Sequence, residues 1–333
     1  KEDLIHFLRE REMNNAVVAF INSHRNPEQE EALAKLCADE GFEYITTSAG
    51  LNREINFLHR LQTALANAYL LPVLSAYLKQ IKSRVPELKI MTSAGSLAGS
   101  EAFEPKDSLL SGPAGGVVAA ERIGAQTGHK QILTFDMGGT SSDVARYSGR
   151  FDYQYAVQIG DARVNSPALN IHTVAAGGGS QCKFDGEKFA VGPESGGADP
   201  GPACYGAGGP LCLTDVNLLL GRMATDEIDL PLDRQAAEEA LKKVLEAGET
   251  KGDREQILQG FLDIANEKMA EAIRQISNAQ GYDPQEHSLL AFGGAGGMHV
   301  CAIAAVLDIP SIRLPAEAGT HSTDGIRAAS EAR

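Results

Sequence analysis

Residues 131–145 read QILTFDMGGTSSDVA. Gln131 to Phe135 form a short apolar run with β-branched members, the composition of a strand. Asp136 closes that run, Gly138 and Gly139 make a turn, and Thr140, Ser141, Ser142 and Asp143 lead into a second strand over residues 144–147. The stretch predicts a hairpin able to hold phosphate. Glycines let the backbone approach an anion and turn N–H groups toward it, and the hydroxyls add donors. A carboxylate repels phosphate, so Asp136 needs Mg²⁺ or an oriented water between the two. A plain glycine-turn hairpin carries the same local signature, so the flanking sequence has to decide.

Composition narrows the choice. A chain of 333 residues has room for two domains or one large one, and 43% apolar with 22% charged residues is a globular mixture. Net charge is −14, which speaks against nucleic acid or an anionic membrane as a partner but leaves nucleotide binding open, since that uses local backbone dipoles. No apolar run approaches the roughly 20 residues of a membrane span. Five cysteines without a CxxC pair predict neither a disulfide framework nor a zinc site. With no leader visible, a cytoplasmic setting is expected.

Outward from the hairpin, the N-terminal third predicts alternating strands and helices. A helix is expected over residues 1–11, a strand over 16–21, a helix from Pro27 to Ala38 stopped by Gly41, and a strand over 42–47. This rhythm implies α/β architecture with a parallel sheet. Residues 53–84 predict a long helix that Pro72 kinks or breaks, with Leu58, Leu61, Leu65, Ala68 and Tyr69 as core. A small-residue run, SGPAGG at 111–116, precedes a helix over 117–123. Its small residues suit close packing, or approach of a ligand.

On the other side, residues 151–159 predict a strand and 161–163 a polar turn. Gly177, Gly178 and Gly179, ending in Ser180, suggest a ligand passing close to the backbone, beside His172 as a candidate base. The run VGPESGGADPGPACYGAGG at 191–209 is too rich in glycine and proline for helix or strand and predicts a stiff ordered loop over a site, carrying Asp199 and Tyr205. Thr214 and Asp215 cap a helix to Leu220. Helices are expected over 233–247 and 257–280, the second amphipathic. Residues 289–307, LLAFGGAGGMHVCAIAAVL, predict a strand, a turn at Gly293, Gly294, Gly296 and Gly297, and a helix whose start carries His299, a second candidate base. That is a nucleotide-binding shape without the dinucleotide fingerprint. A last strand is expected over 309–314. The polar tail 315–333 predicts no core element.

In order, HRLQTALANAYLLPVLSAYL (59–78), SGPAGGVVAA (111–120), DMGGTSSDVA (136–145), AAGGGS (175–180), VGPESGGADPGPACYGAGG, LTDVNLLLGR (213–222) and FGGAGGMHVCAIA (292–304) resemble the hydantoinase/oxoprolinase family. The resemblance implies an actin-like ATPase fold of the ASKHA type, in which two ribonuclease-H-like lobes hold ATP. Residues 1–128 would then be the end of the first lobe with connecting helices. Residues 129–333 would be the second lobe, with a glycine-rich insertion at 171–210. An earlier phosphate hairpin and a C-terminal extension of the family are missing, which implies a fragment.

The family hydrolyses cyclic amides such as hydantoins and 5-oxoproline with ATP and Mg²⁺, or supplies the ATP-using subunit of ketone carboxylases. A non-catalytic nucleotide-binding subunit is a further alternative. The implied partners are a cyclic amide substrate, a B-type hydantoinase subunit and further copies of the chain. Transferred residue by residue, the resemblance makes Asp136 the Mg²⁺ or water orienter. Gly138, Gly139, Thr140 and Ser141 become phosphate donors, and Asp143 the holder of the turn or the metal. Gly293, Gly294, Gly296 and Gly297 face the nucleotide. Gly177, Gly178, Gly179, Asp199 and Tyr205 lie on the cleft or substrate side.

Overall fold

Residues 7, 13–85, 87–227, 230–249 and 252–331 are described by the structure, a computed structural model. The helix expected over residues 1–11 falls, but for Phe7, outside them. The chain forms two units: Lys1–Ala114 with Tyr153–Leu169 and Ala329–Arg333, and Gly115–Asp152 with Asn170–Ala328.

In the first unit, strands Asn15–Val18 and Tyr44–Thr47 pair in parallel across the helix Glu28–Asp39, as the alternating pattern requires. The helix Phe57–Lys82 continues through Pro72, so the proline does not break it. Proline removes the N–H that would reach the carbonyl four residues back. That carbonyl, on Ala68, instead accepts from Asn15 Nδ2 at 2.6 Å. The helix also turns three of its five expected core residues outward, while Ala68 is buried as expected and Leu61 is half-buried. Leu58, Leu65 and Tyr69 are exposed, while Arg60, Thr63, Ala64, Asn67 and Ala68 are buried. Polar bonding sets this orientation: Asn67 Oδ1 accepts the Lys106 N–H at 2.9 Å and Thr63 Oγ1 the Asn165 N–H at 2.9 Å. The strand expected over 151–159 is two short strands, Tyr153–Gln154 and Val157–Ile159. Most of the expected polar turn is strand Ala162–Val164, which turns back on Val157–Ile159 through Gly160.

The second unit holds β1 (Ile132–Met137), β2 (Ser142–Tyr147), β3 (Ile171–Val174), β4 (Ser180–Phe184), β5 (Phe189–Ser195), β6 (Ser288–Phe292) and β7 (Ser311–Arg313). Its helices are α1 (Ser111–Thr127, which enters the unit at Gly115), α2 (Leu213–Leu219), α3 (Arg234–Ala247), α4 (Arg254–Ile276), α5 (Gly296–Val306) and α6 (His321–Ala328). The main sheet has the order β3–β2–β1–β6–β7. Of these strands β2 alone runs opposite to the others. This is the ribonuclease-H-like arrangement of an actin-like ATPase lobe.

One sheet face, with Leu133, Phe135, Met137, Val144, Leu289 and Ala291, is buried with α4 and α5. The other, with Ile132, Tyr147, Leu290 and Phe292, packs against Ala120 and Ile123 of α1. The amphipathic stripe of α4 buries Phe261, Ala265, Met269, Ala272, Ile273 and Ile276, and its N-cap Asp253 accepts the Gln256 N–H.

Three expectations in this unit need correction. The small-residue run at 111–116 is the first turns of α1 rather than a lead-in. A Cβ at Gly115 would meet the Ser322 carbonyl at 2.6 Å, and one at Gly325 would collide with the Gly115 carbonyl. The run is therefore a helix-to-backbone contact. Its partner is α6, in the tail that predicts no element. The tail has no apolar period because the small glycine Gly325, not a large side chain, makes the contact. Finally, the glycine- and proline-rich run begins inside a strand: β5 extends through Gly192 and Pro193 as far as Ser195, paired with β4.

Candidate active site

The hairpin is tighter than its sequence suggests. Both acids lie within strands, paired directly opposite each other, so the loop is only residues 138–141. Gly138 N–H closes it on the Ser141 carbonyl at 3.1 Å. The tip residues Gly138, Gly139 and Thr140 are exposed. Among the described residues, the N–H groups of Gly139 and Thr140 meet no protein acceptor, and neither do the hydroxyls of Thr140 and Ser141. Free donors on an exposed glycine turn suit an anion.

The glycine triplet braces this loop from one side. Gly178 N–H donates to the Gly138 carbonyl at 3.0 Å and Gly179 N–H to Gly139 at 2.6 Å. A Cβ on Gly177 would stand 2.7 Å from Ser141 N and 2.8 Å from the Gly139 carbonyl carbon. The buried Ser142 hydroxyl donates to the Ala176 carbonyl at 2.6 Å. Thr214, at the start of α2, holds the triplet in turn, donating to the Gly178 carbonyl through both N–H and hydroxyl. Farther out, Gly196 N–H donates to the Gly179 carbonyl at 2.8 Å.

The last glycine turn braces the other side. Gly293 has φ +80°, and a side chain there would collide with the Asp136 carboxylate and the Met137 carbonyl. Ala295 N–H donates to the Met137 carbonyl at 3.0 Å. Gly294 is open to solvent, whereas Gly296 and Gly297 form the first turn of α5. Thus Asp136, Asp143, the loop, the triplet and Gly293 meet at one end of the sheet.

The two acids are electrostatically strained. Burial raises the Asp136 carboxyl to about 6, the charge of Asp143 adds to this, and a Ser322 hydroxyl bond opposes it. Burial also raises Asp143, against a 2.5 Å bond from the Thr173 hydroxyl. A shared hard cation relieves such a pair. The described residues contain no cluster of three metal-binding side chains, so a Mg²⁺ ion held by this pair would need further ligands from a bound phosphate or water. Two carboxylates beside unpartnered N–H and hydroxyl donors fit that ion with an anion beside it.

The remaining expected site residues lie elsewhere. His172 is exposed and pairs with Val144, whereas Thr173 pairs with Asp143. Strand alternation therefore puts His172 on the sheet face opposite the acids. His299 is fully buried, hydrogen-bonded to Asn266 and Asn217, and burial lowers it to about 4. It is a neutral packing group, not a base at the surface. Asp199 and Tyr205 are exposed on the loop after β5, and Tyr205 packs its ring on Gly201.

Asp215 is no simple cap. It is fully buried at the third position of α2 and accepts the N–H groups of Ala203, Cys204 and Cys212 at 2.7–3.0 Å. It pins the end of the glycine-rich loop to the helix that holds the triplet. Asp215→Asn is expected to cost about 3 kcal/mol, since one amide oxygen cannot accept all three donors and its NH₂ faces others. Urea denaturation measures this, and a loss below about 1 kcal/mol would contradict the clamp.

Sequence reasoning missed Thr173, Ser322 and the role of Thr214. Thr173 was legible in principle, two residues along a strand from Ile171 and in register with an acid. Ser322 carries no sequence signal.

A family model described as hydantoinase/oxoprolinase matches residues 60–332. The 5-oxoprolinase PfmaA of Pestalotiopsis fici is 39% identical over 96% of this chain and 26% of its own length. The caprolactamase subunit alpha of Pseudomonas jessenii is 32% identical over 93% of the chain and 47% of its own length. Among solved structures, nucleotide-free acetone carboxylase superposes with a TM-score of 0.84 at 24% identity, covering 98% of this chain and 48% of that one. ATP-dependent caprolactamase from Pseudomonas jessenii gives 0.80 at 30% identity, covering 97% and 50%. The chain spans about a quarter of the length of the 5-oxoprolinases it matches.

Proposed function

The chain belongs to the hydantoinase/oxoprolinase family, and from that premise we propose that it is the phosphate-handling part of an enzyme that opens cyclic amides at the expense of ATP. The observation that carries the reading is the meeting of Asp136, the free donors at 139–141 and Gly293 at one end of the sheet. The loop donors hold the terminal phosphates. Asp136 and Asp143 would hold a Mg²⁺ ion against them, and the ion would supply charge neutralisation for the γ-phosphoryl group. Gly293 lets the last glycine turn lie directly against Asp136, where a side chain would collide with the carboxylate. Transfer to the amide oxygen of the substrate turns a poor electrophile into one that water attacks. The residues' own work is positioning and charge compensation.

A lactam such as 5-oxoproline or caprolactam is the substrate class that the named relatives support. The subunit designation of the caprolactamase relative supports a second, B-type chain as partner. No helix among the described residues is long and apolar enough to cross a membrane, and four buried free thiols suit a reducing, cytoplasmic setting.

The test supplies the full-length protein with ATP, Mg²⁺ and either 5-oxoproline or caprolactam, and follows ADP and the ring-opened acid together. Stoichiometric appearance of both supports the reading. ADP release that instead requires bicarbonate and a ketone would move the protein to the carboxylases, and nucleotide binding with no turnover would make it a non-catalytic subunit.

A further inference from the structure

A cavity of about 600 Å³ opens in the second unit between α1, the segment after β7 and α6. Arg122 and Gln126 line it from α1, Glu317 from the segment, and His321, Asp324 and Arg327 from α6. Among the described residues, neither guanidinium and neither carboxylate forms an ion pair or a side-chain hydrogen bond. Charges of both signs thus share one cavity without closing on each other. His321 makes this a built site. Its side chain is 3% exposed, and its Nε2 is buried with no partner. A ligand's polar group would relieve an orphan of that kind.

We propose that this cavity is a regulatory site for a small zwitterion, with its carboxylate on Arg122 and Arg327 and its ammonium on Glu317 and Asp324. The ring-opened product is the zwitterion at hand, an assignment that rests on the lactam-opening reading. Hydrolysis breaks the acyl C–N bond. Water's oxygen goes to the acyl carbon, leaving a carboxylate, and the nitrogen gains protons to become an ammonium. Every lactam opened therefore yields one molecule bearing both groups.

The cavity adjoins the acids. The His321 ring lies on Phe292, centroids 4.5 Å apart, and Phe292 is in register with Asp136. The next residue, Ser322, bonds the Asp136 carboxylate. An occupant that shifts His321 moves two neighbours of Asp136, which gives accumulating product a route to slow turnover.

Calorimetric titration of this chain with L-glutamate and with 6-aminohexanoate tests the site, with glutarate as the probe lacking ammonium. Saturable binding of a zwitterion is expected. It should weaken tenfold or more in the Arg122→Gln/Arg327→Gln double variant, whose fold circular dichroism checks. Asp324→Asn should weaken the zwitterions and leave glutarate unchanged. Binding should persist in Asp136→Asn, which separates the cavity from the acid pair. No saturable binding of either zwitterion, or binding that the double variant retains, overturns the proposal. Lactam opening by the full-length protein without such binding overturns the cavity site alone. Binding without lactam opening overturns the reaction and leaves the zwitterion site standing.

Discussion

Asp136→Asn is expected to make this chain more stable at pH 8 while silencing ATP hydrolysis in the full-length protein. Burial and the Asp143 charge hold the wild-type carboxyl at about 6 in the folded chain, against an ordinary value of 3.8. Its protonated form is therefore the one that folding favours. The associated stability is fully present below pH 4 and lost as pH rises through 6. At pH 8 the ionised group opposes folding by on the order of 3 kcal/mol. Asparagine carries no charge and can keep a bond to Ser322, so about 2 kcal/mol of that should return. The gain should shrink toward zero near pH 4, where the wild-type acid is protonated in both states. Paired urea titrations at the two pH values measure it, and a gain equal at both would refute the electrostatic account. Loss of the ion's anchor should lower ATP turnover by a factor of about 100 or more. Stability and activity then move in opposite directions from one atom change, as expected where charges are held together for use.

Gly177→Ala should have the larger structural effect. Its Cβ has no flexible neighbour to push aside, only the hairpin backbone at Gly139, Thr140 and Ser141. Either the triplet or the loop must move by about half an ångström or more, and the bonds from Gly178 and Gly179 to the loop carbonyls break or stretch. A destabilisation of about 2–4 kcal/mol is expected, with Mg²⁺–ADP affinity down at least tenfold. Gly294→Ala is the control. Nothing lies within 4 Å of its added methyl, so stability should change by less than about 0.5 kcal/mol. Equal effects at the two positions would mean that the triplet does not brace the loop.

The central sheet was legible because its strands obey short-range rules. The run at 131–137 is apolar and β-branched, the glycine turn forces reversal, and α4 shows an unambiguous stripe. The bracing of the site was legible where a glycine had to admit a close neighbour, at Gly177, Gly178, Gly179 and Gly293. Other features depend on contacts distant in sequence. Nothing local tells that Gly325 seats against Gly115, or that Asn15 satisfies the carbonyl orphaned by Pro72. The helix Phe57–Lys82 shows the limit of periodicity. Its apolar positions repeat correctly, yet buried hydrogen bonds of Asn67 and Thr63 outweigh them in choosing the inward face. His172 was misplaced for a simpler reason, since one step along a strand exchanges sheet faces.

The thiol chemistry of the folded chain reduces to one address. Cys37, Cys182, Cys204 and Cys212 are buried, and burial raises the thiol of each, that of Cys212 up to about 12. Few thiolates are present there to react with an electrophile. Cys301 is exposed on α5, the helix that opens with Gly296 and Gly297. A fluorophore coupled to native protein would settle there without any cysteine being engineered or removed, on the helix that follows the last glycine turn, where the proposed arrival of a nucleotide could be tested as a change in light.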